Sequence, residues 1–125
     1  MRTKLIRGGL LLDASRPQSE RADIVIENYR PGVMEKLGLD YPSLRADNPR
    51  LIYASSSGYG ADGPYRDYPA MDLTVQAMTG VMSVTGEPGR NPVKAGVPLA
   101  DFASGLYAAY SIAALLARVR AGGPG

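Results

Sequence analysis

The chain has no cysteine and no histidine among its 125 residues. Without cysteine there is no disulfide, no thiolate metal site and no thiol nucleophile. Without histidine the commonest general base and the commonest metal ligand are missing. Chemistry therefore falls to Asp, Glu, Ser, Thr, Tyr, Lys and backbone groups, and no metal site is expected. No G-x-x-x-x-G-K-[ST] run occurs, which disfavours a phosphate-loop kinase. The apolar run at Leu10, Leu11 and Leu12 is too short for the h-region of a signal peptide. Residues 99–117 approach the length of a membrane span, but Asp101, Ser104, Gly105, Tyr107, Tyr110 and Ser111 interrupt them. A helix buried in protein is the expected reading. Charge of one sign is not concentrated anywhere: 14 Lys and Arg oppose 12 Asp and Glu, for a net charge of +2. Neither a nucleic acid nor a membrane is expected as a partner. There is no internal repeat and no low-complexity tract.

What remains is ordinary globular material. The hydrophobic fraction is 45% and the charged fraction 21%, in a length suited to one modest core. The 15 Gly and 10 Pro predict tight turns between a few regular elements. Residues 23–28 (D-I-V-I-E-N) read as a buried parallel strand, with polar residues where it meets a ligand crevice. A short helix over residues 33–37, closed by Gly38, and a helical turn over residues 41–45 follow. Asn48-Pro49 breaks the second of these, and residues 51–55 read as another strand. Residues 55–69 form a loop dense in turn residues, whose Tyr59, Tyr65, Arg66 and Tyr68 point weakly to function. Tyr59 and Tyr65 suit stacking on a base or a plain place on the rim. Residues 71–82 read as one helix with Leu73, Val75, Ala77, Met78 and Val81 as its apolar set. The whole suggests part of an α/β open sheet.

The chain is organised around residues 93–105 (V-K-A-G-V-P-L-A-D-F-A-S-G). An apolar approach delivers one carboxylate, Asp101, to the start of a long apolar helix. The residues alone leave two readings. Asp101 is a helix cap, which is common, or it is a nucleophile at the mouth of a buried helix, which is rare. Gly105 suggests close helix packing.

Five blocks in order then resemble one family: residues 22–39 (A-D-I-V-I-E-N-Y-R-P-G-V-M-E-K-L-G-L), 48–60 (N-P-R-L-I-Y-A-S-S-S-G-Y-G), 63–73 (G-P-Y-R-D-Y-P-A-M-D-L), 85–89 (T-G-E-P-G) and 97–109 (V-P-L-A-D-F-A-S-G-L-Y-A-A). They are similar to the class III coenzyme A transferases. That family includes formyl-CoA and carnitine-type transferases and also acyl-CoA racemases. The resemblance implies an α/β fold, part of a Rossmann-like open sheet domain that is here incomplete. Residues 21–125 would be a piece of the family's large domain, and residues 1–20 a divergent or truncated segment.

It further implies transfer of CoA between an acyl-CoA thioester and a free carboxylic acid through an aspartyl-CoA intermediate, in a cytoplasmic enzyme whose two copies interlock. Coenzyme A is then a substrate, with no tightly bound cofactor. By position, Asp101 falls on the family's catalytic aspartate. Asn28, Tyr29 and Arg30 fall on the turn that touches the CoA nucleotide, and Lys36 on a phosphate-contacting position. Pro69, Ala70, Met71 and Asp72 fall on a stretch lining the CoA. A racemase would need a histidine where this chain has Met71, so transferase is the better match. The other functional readings are a remnant without catalysis and a CoA-binding module without transfer.

Overall fold

A computed structural model describes residues 24–125. The expectations for residues 1–23, including Asp23 as the first residue of a strand, lie outside the described residues. Two strands, β1 (Ile24–Glu27) and β2 (Ile52–Ser55), pair in parallel with Ile24 opposite Ile52 and Glu27 opposite Ser55. Parallel neighbours need a long crossover. Here it carries α1 (Val33–Lys36) and α2 (Tyr41–Asp47). Gly38, at φ +64°, closes the first of these as its sequence suggests. Asp40 caps the second: its carboxylate accepts from Ser43 N at 3.0 Å and Ser43 Oγ at 2.7 Å, and these bonds hold it below its ordinary pKa. Tyr53 on β2 donates to Leu39 O at 3.2 Å, tying the sheet to the crossover. Burial, then the nearby Glu27, Glu35 and Asp40 charges, push its phenol up to about 12.

The remaining helices are α3 (Asp72–Met78) and α4 (Leu99–Arg120), joined through a 3-10 turn (Val81–Val84). The single helix expected over residues 71–82 is therefore corrected. Gly80 takes φ +83°, outside the helical region, and splits the run. Its apolar residues are not the ones most buried. Leu73 and Met78 are each 49% exposed, whereas Gln76 is 1% exposed.

The described core is small. Met34, on α1, and Leu51, Ile52 and Val119, where the start of β2 meets the end of α4, are the buried apolar residues. There Arg50 Nη2 donates to Val119 O at 3.0 Å, a cation at the negative end of a long helix. Among the described residues α4 is largely uncovered: of its residues only Val119 is buried, and Leu106, Tyr107 and Tyr110 are 72%, 75% and 77% exposed. A two-stranded sheet and one short helix cannot cover 22 residues whose apolar side chains point all round. By length and composition alone α4 is long and apolar enough to cross a membrane. Gly105 does not serve close packing among the described residues, since a Cβ there would meet nothing within 4 Å.

Gly58, by contrast, is required by contact. A Cβ on it would stand 1.9 Å from Ala70 Cβ. The loop after β2 thus closes onto the stretch that enters α3. Gly58→Ala should cost about 1–3 kcal/mol by forcing the two segments apart. Thermal melting checks this, and a variant that melts with its parent would show the contact to be dispensable.

Candidate active site

The strand ends and the start of α4 meet at one end of the sheet. Glu27 closes β1: its carboxylate accepts from Tyr29 N at 2.8 Å and from the Ser55 hydroxyl. Its carbonyl accepts from Ser56 N at 3.1 Å. The Ser56 hydroxyl lies 2.9 Å from the Ser104 hydroxyl, one helical turn beyond Asp101. The Asn28–Arg30 turn and Asp101 therefore lie at the carboxyl end of the parallel strands, where α/β sheets place their ligands.

An open cleft of about 510 Å³ lies between the entry to α3 and the approach to α4. Ala70, Met71, Asp72 and Leu73 line one side, and Lys94, Gly96, Val97, Pro98 and Asp101 the other. The structure thus brings together Ala70, Met71, Asp72 and Asp101. Asn28, Tyr29, Arg30, Lys36 and Pro69 do not line this cleft. They are exposed on neighbouring segments, the first three at the strand end and Lys36 on α1. Met71 is 73% exposed at the rim. In the loop that precedes it Tyr65 packs against Tyr59, tilted, and against Tyr68, edge to face, with centroids 6.0 and 5.3 Å apart.

The start of α4 bears directly on the cap reading of Asp101. The residue before the helix is Pro98, which has no side-chain acceptor and no backbone N–H. Asp101 is the third residue of the helix, from which a carboxylate caps by reaching back to the N–H of the residue before the helix. That N–H does not exist. The cap comes instead from α3: Asp72 Oδ1 accepts from Ala100 N at 2.7 Å and Asp101 N at 3.3 Å. The helix-cap reading of Asp101 is thereby corrected. Among the described residues no hydrogen bond or ion pair engages the Asp101 carboxylate, and it is exposed on the cleft. The amides of Ala100 and Asp101, occupied by Asp72, are not free to stabilise an oxyanion.

Gln76 completes the arrangement. Its Nε2 donates to Asp72 Oδ2 at 2.6 Å and its Oε1 accepts from Ala95 N at 2.8 Å. Sequence reasoning missed Gln76, Gly58 and Lys94. The signals were present but weak: a polar residue four after Asp72 on a helix, a glycine just past a strand, and the one basic residue in residues 93–105.

A parallel α/β segment thus sets an unengaged carboxylate at a cleft by its strand ends, where open α/β sheets bind ligands. The sequence model of CoA-transferase family III matches residues 19–125, and the chain belongs to that family. It is 51% identical over 102 residues to the succinate–glutarate CoA-transferase of Agrobacterium fabrum, covering 81% of this chain and 26% of that protein. It is 51% identical over 104 residues to the acetyl-CoA:oxalate CoA-transferase of Acetobacter aceti, covering 82% and 27%. Among solved structures, a CAIB/BAIF family protein from Brucella suis superposes with a TM-score of 0.75 at 47% identity, over 84% of this chain and 28% of that one. The chain spans about a quarter of the length of the curated relatives it matches.

Proposed function

We propose that this chain carries the nucleophile of an enzyme that moves coenzyme A between an acyl-CoA thioester and a free carboxylic acid. The observation that carries the proposal is the exposed Asp101 carboxylate, left unengaged on the cleft while Asp72 caps its helix.

In this reading a carboxylate oxygen of Asp101 attacks the thioester carbonyl. The carbon–sulfur bond breaks, leaving a mixed anhydride and the CoA thiolate. The thiolate attacks the aspartyl carbonyl and expels the first acid, which gives an aspartyl-CoA thioester. The incoming acid attacks that thioester, the returning thiolate attacks the new acyl group, and Asp101 is regenerated. Every step exchanges one acyl bond for another, so no oxidant, reductant or net proton is needed. With the nearby helix amides occupied, Lys94 is the cation on the cleft placed to face developing negative charge. Met71 cannot abstract a proton, which counts against racemisation at this cleft.

Asn28, Tyr29, Arg30 and Lys36 hold the CoA nucleotide in this proposal, and Pro69, Ala70, Met71 and Asp72 line its path toward Asp101. Arg30→Ala and Lys36→Ala should each weaken CoA binding by about 1.5–3 kcal/mol, with the loss shrinking at high salt. Calorimetry at two salt concentrations on the complete polypeptide measures it. Wild-type affinity in both variants would remove the phosphate role. Transfer itself is tested by incubating that polypeptide with succinyl-CoA and a panel of acids that includes glutarate and oxalate. A new CoA thioester is the expected product. Thioester hydrolysis without transfer to any acid would contradict the reading.

A further inference from the structure

Buried Gln76 and half-buried Asp72 form a polar chain that ends at the nucleophile's own backbone. Gln76 is 1% exposed, and every polar atom of its amide is used. Oε1 takes Ala95 N at 2.8 Å, and Nε2 gives to Asp72 Oδ2 at 2.6 Å and to Val97 O at 3.4 Å. The partners fix the orientation of the amide, because a backbone N–H needs an acceptor and a carboxylate a donor. The other oxygen of Asp72 takes Ala100 N at 2.7 Å and Asp101 N at 3.3 Å. The approach to α4 is thus tied to α3 on both sides of Pro98, at Ala95 and at Ala100 and Asp101.

We propose that Asp72, held by Gln76, is a positioning residue for Asp101. It fixes the first turn of α4 and consumes the amides that would otherwise bind and blunt the Asp101 carboxylate. A carboxylate that accepts backbone N–H bonds is a stabilised anion and a weaker nucleophile. With those donors filled by Asp72, Asp101 keeps its electron pairs for the thioester. The proposal rests on Asp101 being the nucleophile.

The test exchanges amide and acid. In Asp72→Asn the new Nδ2 faces Gln76 Nε2, donor against donor, while Oδ1 can still accept from the helix amides. In Gln76→Glu two carboxylates face each other in a buried site. The double variant Asp72→Asn with Gln76→Glu restores acceptor to donor throughout, losing only the long bond to Val97 O. The complete polypeptide is assayed at temperatures where circular dichroism shows each variant folded. Each single variant should lose about 10- to 100-fold in kcat with KM for acyl-CoA within about 3-fold, and the double variant should recover most of the loss. Mass spectrometry follows the rate of adduct formation on Asp101 in the same samples. An adduct forming on Asp101 at the wild-type rate in Asp72→Asn would overturn the positioning role alone. So would a loss confined to KM, or a double variant no better than the singles. A wild-type adduct on another residue would overturn the nucleophile assignment and the positioning role with it.

Discussion

Asp101→Asn should lower CoA transfer by on the order of 10⁴-fold or more in a complete polypeptide carrying this segment, since an amide cannot make the covalent intermediate. Its stability should stay within about 1 kcal/mol of the parent, because only an exposed charge near a helix start is lost. Asp101→Ala should behave alike. From the residues alone the two variants separate, since alanine would lose a cap that asparagine keeps. The structure removes that difference, because the cap belongs to Asp72 and survives both substitutions. Steady-state transfer rates and denaturant midpoints on the two variants check the pattern. Near-wild-type activity in Asp101→Asn, with a stability loss in Asp101→Ala alone, would restore the cap reading.

The second large effect concerns the 125-residue chain by itself. Phe102, Leu106, Tyr107 and Tyr110 are 58% to 77% exposed along one helix, and Met71 and Val84 are 73% and 85% exposed nearby. Apolar surface on this scale drives association when nothing covers it. Two paired strands give little stability of their own. The chain alone should therefore sediment as associating species and melt over a broad range. A sharp, reversible two-state melt of a monomer, by circular dichroism with sedimentation, would contradict this. The relatives extend well beyond the matched stretch.

Much of the fold was legible because its signals are local. The β-branched run I-V-I-E and the run I-Y-A-S are where the two parallel strands form. Pro98 and the apolar residues after it mark the start of α4. Two of the failures share one physical cause, which is contact between distant residues. Local capping rules direct attention to Asp101, the acid at the helix start. The acid that caps is Asp72, and the amides it serves lie 28 and 29 residues further on. Gln76 looks like a solvated interruption of an apolar face until Ala95 N, 19 residues away, is seen to need an acceptor. The apolar pattern past Met78 suggests a longer helix, and only the backbone shows Gly80 ending it. The family itself was legible through the ordered blocks of motifs, and the matched stretch, residues 19–125, contains them all.

One measurement bears most directly on Asp101. The complete polypeptide is incubated with an acyl-CoA, quenched with hydroxylamine and digested, and the peptides are mapped by mass spectrometry. A hydroxamate on Asp101, in the peptide spanning residues 97–109, is the expected result. A hydroxamate on any other residue, or transfer proceeding with Asp101 unmodified throughout, would contradict it.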